Sequence, residues 1–182
     1  FWSAETREAL LEFADERVYA TLEESADDRE RAFRDRAIVT MLALTGARGA
    51  ELFADPRDDH RNGLRWEDVD LERGVAVVFG KTRERQPIPL TDRVLDALKR
   101  HHSVLNPAGE DWPVFPTRHH ASLANAAEEG LDAQGWDAEE IEMALDKSTS
   151  MAVLREHGIA PPALSKNGAR SLMRRLCDAA DL

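Results

Sequence analysis

At 182 residues the chain has the size of one domain with a workable core, residues 1–182 read as a single unit. It holds no apolar run long enough to span a membrane and no secretory leader, and its one cysteine, Cys177, excludes an internal disulfide, so the cytoplasm is the expected compartment. Thirty-five acids against 24 bases give a net charge of −11, the opposite of the basic balance usual in nucleic-acid binders.

In chain order, residues 3–22 read as an amphipathic helix starting near Ser3, with Tyr19 taken as packing beside Leu11, Val18 and Leu22. Residues 25–30 form an acidic linker, and a buried helix with Ile38, Val39, Met41, Leu42 and Leu44 follows. Gly46 suits the position just past a helix end, because it enters the left-handed region without penalty. Arg48 then stands where a second helix opens, so backbone N–H groups and the helix dipole there favour an anion such as phosphate. The plain alternative is a surface arginine in a helix–turn–helix. The polar stretch 54–63 reads as a surface loop beside Arg48. Residues 64–71 supply a short strand, and 74–90 a β-hairpin in which Val75, Val77 and Phe79 share one face. The hairpin tip, Lys81 to Arg85, carries three cations; Pro87 and Pro89 mark the second strand as an edge. A helix over 91–102 with Val94, Leu95 and Leu98 inward comes next, then a turn at 106–109. From 121 the pattern is helical again: Asp137 with Glu140 forms a capping box, and Ser148 or Ser150 opens a short helix closed at His157-Gly158. After an extended connector, Ser165 or Asn167 caps a last helix with Leu172, Met173, Leu176 and Cys177 on one stripe. The adjacent pairs His101-His102 and His119-His120 diverge, so no metal site is expected.

Four segments in order carry a resemblance. Thr45-Gly46-Ala47-Arg48 with Glu51-Leu52, then Trp66-Glu67-Asp68, then Gly80-Lys81 through Arg85 and Pro89-Leu90, then Phe115-Pro116 resemble the tyrosine recombinases, or phage-type integrases. The likeness covers residues 1–120 well and the rest loosely. It implies an α+β, mainly helical domain with a small three-stranded antiparallel sheet. It also implies double-stranded DNA as partner, no cofactor and no metal, and assembly of the full-length protein on DNA as a dimer or tetramer. Members cut one strand by tyrosine attack on the scissile phosphate, giving a 3′-phosphotyrosyl link and a free 5′-hydroxyl. By position Arg48 matches the first arginine that stabilises the phosphorane, and Lys81 the lysine that protonates the leaving oxygen. Lys81 as a solvated turn lysine is the alternative. Thr82, Arg83, Arg85 and Arg118 are the expected DNA contacts.

The departures bear on activity. The family's His-x-x-Arg box is absent; Asn167-Gly168-Ala169-Arg170 has its spacing, with Asn in the histidine's place. Either this is a degenerate box with Arg170 the second arginine, or it is the opening turn of a helix that precedes the true box, which is the preferred reading. Tyr19, the one tyrosine, is far upstream of Arg48. The chain begins at Phe1 and stops at Leu182, so it reads as a fragment cut before its last catalytic elements. The competing expectations are a non-catalytic DNA-binding or regulatory relative and an acidic helical interaction module.

Charge is uneven. Residues 1–30 hold ten acids against three arginines, and 126–146 hold eight acids with no Lys or Arg, an added helical hairpin read as solvated surface. Residues 73–100 hold seven bases against three acids, so cations are expected to gather at the phosphate site with the acids elsewhere. Four lysines against twenty arginines, with abundant acids, suggest a halophilic, high-salt cytoplasm. At about 1 M salt the Debye length is roughly 3 Å, and distant acids barely repel DNA.

Overall fold

The computed structural model describes residues 2–182. Ser3 caps α1, Ala4–Ala20, its Oγ accepting from the Thr6 N–H at 3.0 Å. Leu10, Leu11, Ala14 and Val18 form its buried stripe. Tyr19 lies about 100° round from Val18 and points to solvent, 75% exposed, which corrects its reading as a packing residue. The expected acidic linker is also helical. Ser25 caps α2, Ala26–Leu44, by accepting from Asp28 N–H, and Asp27 and Asp28 occupy the first turn where the dipole favours acids.

The second half of α2 is buried all round: Ala37, Ile38, Val39 and Met41 are fully covered. It packs against both α1 and α4, Asp92–Leu105. The helix α4 runs to Leu105, three residues past the expected end, and Asn106, with a left-handed φ of 46°, caps it where the expected 106–109 turn begins.

Between α2 and α4 lie the one-turn α3, Gly49–Leu52, and a three-stranded antiparallel sheet in the order β1 (Val69–Asp70), β2 (Val75–Phe79), β3 (Arg85–Pro89). Residues Trp66–Asp68 form a 3-10 turn, so only the end of the expected 64–71 strand is a strand. The physical reason is a competing partner: Leu64 and Trp66 bond to the backbone of Val114 and Trp112, which bends the segment away from the sheet. Pro87 pairs opposite Val77 and Pro89 opposite Val75, and β3 is the edge strand as its prolines require. Ala76 and Val78 face the core, while the face with Val75, Val77 and Phe79 is half-buried.

The remaining helices are α5 (His120–Ala133), α6 (Ala138–Lys147), α7 (Ser150–Glu156) and α8 (Lys166–Ala179). Asp137 and Glu140 make the reciprocal capping box on α6. Thr149 caps α7, one residue between the two serines expected there. Ser165 caps α8, with Oγ accepting from Gly168 N–H at 3.0 Å. One apolar core joins α1 through α8 and includes Trp66, Trp112 and Phe115.

Candidate active site

The turn that presents Arg48 is locked from both sides. Gly46 has φ +70° with no atom within 4 Å of where a Cβ would stand, so its need is conformational rather than steric. Thr45 Oγ1 donates to the Met41 carbonyl at 2.6 Å and accepts from the Ala47 N–H at 3.1 Å. The Arg48 N–H donates to Glu51 Oε2 at 2.7 Å, and its guanidinium lies 3.3 Å from Glu51 Oε1. The Arg48 side chain is 67% exposed. Because α3 is one turn long and Glu51 already takes the first N–H, a helix terminus is not what would hold an anion here. The exposed guanidinium itself is the available group.

Lys81 stands at the hairpin tip, exposed and without an ion pair among the described residues. The tip closes through Gly80 N–H to Glu84 carbonyl at 2.8 Å, with Arg83 in the left-handed region at φ 61°. Thr82 Oγ1 accepts from Gln86 Nε2 at 2.9 Å.

The two turns meet through Arg61, which sequence reasoning passed over as part of a surface loop. Its Nη1 donates to the Ala50 carbonyl at 2.6 Å and to the Phe79 carbonyl at 3.0 Å; its Nη2 donates to the Gly80 carbonyl at 3.2 Å. Thus one guanidinium grips the backbone two residues after Arg48 and one residue before Lys81. It is 14% exposed and lies 5.5 Å from the Phe79 ring centroid. The loop that carries it is folded, not open: Asp55 N–H bonds the Arg61 carbonyl, and Asp58 lies between Arg61 at 3.4 Å and Arg83 at 3.5 Å.

The same loop reaches α8. Ala54 N–H donates to the Leu164 carbonyl at 3.0 Å, Lys166 N–H donates to the Ala54 carbonyl at 2.8 Å, and Lys166 pairs with Asp55. The hydrogen bond from Lys166 holds the Asp55 carboxyl below the usual carboxylate range. Arg170 lies on the exposed face in the second turn of this helix. The turns of Arg48 and Lys81 and the start of α8 are therefore all fastened to residues 54–61.

Acids are part of this region, against the expectation that they lie elsewhere. Arg48, Arg83 and Arg85 each face a carboxylate, from Glu51, Asp58 and Asp68 respectively. Arg118 is a clearer correction. It pairs with Asp27 and Glu30 on α2 and is 10% exposed, and burial lowers its pKa, with Arg155 adding to the effect. A guanidinium covered and doubly paired in this way fastens the 116–119 segment to α2 and is not free to meet DNA. A cleft of about 410 Å³ lies between Glu51, residues 59–65 and the sheet, with Arg85 at its edge; neither Arg48 nor Lys81 lines it.

Residues 10–129 match the model of the phage integrase family. The chain belongs to that family. It is 31% identical over 100 residues to the tyrosine recombinase XerC of Xylella fastidiosa (strain M23), covering 55% of this chain and 31% of the relative. It is 32% identical over 114 residues to XerC of Xanthomonas axonopodis pv. citri (strain 306), 63% of this chain and 33% of that one. XerD of Staphylococcus saprophyticus is 32% identical over 90 residues. The chain spans about a third of the length of these relatives. A crystal structure of XerA recombinase superposes with a TM-score of 0.45 at 15% identity, over 98% of this chain and 64% of that one. The family match includes Arg48, Arg61 and Lys81 and stops before α6 and α8. No described helix is long and apolar enough to cross a membrane.

Proposed function

We propose that this chain supplies the phosphate-gripping part of a tyrosine recombinase that cuts and rejoins double-stranded DNA through a phosphotyrosine intermediate. The observation that carries this reading is the Arg61 bridge, which makes neighbours of the two turns that bear Arg48 and Lys81. Arg48 binds two non-bridging phosphate oxygens with its planar fork and stabilises the charge that grows on them in the phosphorane. Only Nη1 faces Glu51, which is itself held by the Arg48 N–H, so the remaining donors of the exposed guanidinium are open to a phosphate. Lys81 donates a proton to the 5′-oxygen as the bond to phosphorus breaks. Arg170, on a helix whose start is fastened beside Arg48, is the second arginine only where residues 167–170 act as a degenerate box; on the preferred reading it stands on the helix before the true box. Thr82, Arg83 and Arg85 contact the flanking backbone. Assembly of the full-length protein on DNA as a dimer or tetramer, in the cytoplasm, belongs to the same reading.

Tyr19 is not the nucleophile in this proposal. It lies with Phe33 and Arg36 on α2 and Asp96 and Arg100 on α4. From Arg36 to Thr45 the rise along α2 is about 14 Å. The attacking hydroxyl must therefore come from a tyrosine outside these residues, and the isolated chain should form no covalent adduct with nicked duplex DNA; an adduct on a denaturing gel would overturn this.

Lys81 has its own test in a protein that joins this chain to its nucleophile. Lys81→Ala should slow cleavage at least about 100-fold, as loss of a general acid does. A substrate with sulfur in place of the 5′-bridging oxygen should restore the rate, because a thiolate leaves without protonation. Slow cleavage of both substrates would remove Lys81 from that role. Asn167 in the histidine's place favours a second reading, a non-catalytic DNA-binding relative; full binding with no cleavage of either substrate by the unmodified full-length protein would establish it.

A further inference from the structure

We propose that Arg61 is a positioning residue, which keeps Arg48 and Lys81 on one phosphate by holding their two turns in fixed register. The proposal rests on the reading that both cations engage the same phosphate. Three features of the geometry assign this role. First, Arg61 spends its fork on backbone carbonyls of two different elements, Ala50 in α3 and Phe79 and Gly80 at the end of β2. Only a planar group with several fixed donors spans that gap, and a lysine ammonium reaches one side of it. Second, the fork is itself held, by Asp58 at 3.4 Å and by the Phe79 ring beneath it, on which His60 also stacks at 5.7 Å. Third, the tip's other ties are ion pairs whose arginines are exposed, Arg83 with Asp58 and Arg85 with Asp68. The edge strand β3 has no neighbour beyond β2, and Arg83 to Asp58, an exposed contact of 3.5 Å, is the tip's other link to the 54–63 loop.

A long-range brace of this kind acts on the separation between two groups rather than on either alone. With Arg61 present, removing Arg48 and removing Lys81 should have interdependent effects on the binding of a nicked DNA duplex. Without it each cation still meets phosphates, but independently.

The experiment is a double-mutant cycle, Arg48→Ala and Lys81→Ala singly and together, measured as affinity for a mixed-sequence nicked duplex by fluorescence anisotropy. It is run with Arg61 intact and again with Arg61→Ala and Arg61→Lys. With Arg61 intact the two effects should be coupled by about fivefold or more. In Arg61→Ala the coupling should fall to within about twofold of unity. Arg61→Lys keeps the charge and one carbonyl contact and should fold even if Arg61→Ala does not; it too should lose most of the coupling. Circular dichroism on the same samples establishes that each is folded. Coupling that persists in a folded Arg61 variant overturns the positioning role and leaves the phosphate reading standing. Absence of coupling with Arg61 intact overturns the shared phosphate and the proposal together. Loss of coupling in the Arg61 variants, with it intact in the parent, supports both.

Discussion

His101 shows how one buried side chain sets a limit on the conditions the fold tolerates. It is fully buried, its ring stacks on Phe115 and tilts against Trp66, and its Nε2 lies 2.6 Å from the Val114 carbonyl. That contact makes Nε2 the protonated nitrogen and leaves Nδ1 facing the apolar core without a partner among the described residues. Desolvation, with a smaller contribution from Arg34, pushes its pKa down from 6.5 to about 4. The folded state therefore prefers neutral imidazole, and the unfolded chain takes up the proton first as pH falls. The stabilisation is complete above pH 6.5 and is lost between 6.5 and about 4, amounting to about 3 kcal/mol. Denaturant titrations should show this loss in the parent, while His101→Gln, which keeps a donor for the Val114 carbonyl, should be flatter over the same interval; parallel curves would remove His101 as the cause. The lowered carboxyls of Asp55 and Asp96 add their losses below that interval, at the acid end. Nothing in the sequence distinguished His101 from its neighbour His102, because the difference is which side of α4 meets Val114 and Phe115. Arg61 was hidden for the same reason. Its partners are carbonyls 11, 18 and 19 residues away, and carbonyls leave no mark in a sequence. The turns that carry Arg48 and Lys81 were readable because they are built locally, by Gly46, Thr45 and Glu51 in one case and by a tight hairpin in the other.

Elements whose limits are set by their own residues were legible, and those set by distant partners were not. The box of Asp137 and Glu140 and the edge character forced by Pro87 and Pro89 needed no tertiary information. The stretch 64–71 did, since Trp112 and Val114 decide where its backbone bonds go. Residues 25–30 misled in the other direction: a run of acids reads as linker until Ser25 is seen as its cap. The start of α8 is the element on which the candidate second arginine depends. Ser165 caps it, its residue bridges to Ala54, and Lys166 pairs with Asp55 beside the Arg48 turn. Ser165→Ala should cost about 1 kcal/mol of stability. If α8 does position Arg170, the same change should also weaken binding of a duplex beyond what the loss of folded protein explains. Stability and affinity measured together separate the two; an unchanged affinity at full folding would mean that the cap serves the helix alone.

At the scale of the whole molecule the proposed DNA contact has to be reconciled with a net charge of −11. Pairing supplies part of the answer. Glu51, Asp55, Asp58 and Asp68 lie within reach of Arg48, Lys166, Arg83 and Arg85, so this region is near neutral rather than strongly basic. The eight acids of residues 126–146 fall on α5, the turn after it and α6, elements that pack chiefly against each other and α7. Attraction over long distance is then weak, and binding has to come from a few close contacts. Each phosphate neutralised contributes about −0.9 to the slope of log affinity against log salt. With one phosphate shared by Arg48 and Lys81 and two flanking phosphates met by Arg83 and Arg85, about three phosphates are neutralised and the slope for a duplex should be about −3, much shallower than for a basic DNA binder. Arg48→Ala should lower affinity but move the slope by less than about one, because Lys81 still meets the same phosphate, whereas Arg83→Ala should make it shallower by about one. A slope of −6 or steeper would mean that cations outside this cluster carry the binding. An affinity unmoved by Arg48→Ala would mean that the guanidinium in the turn after α2 never meets a phosphate.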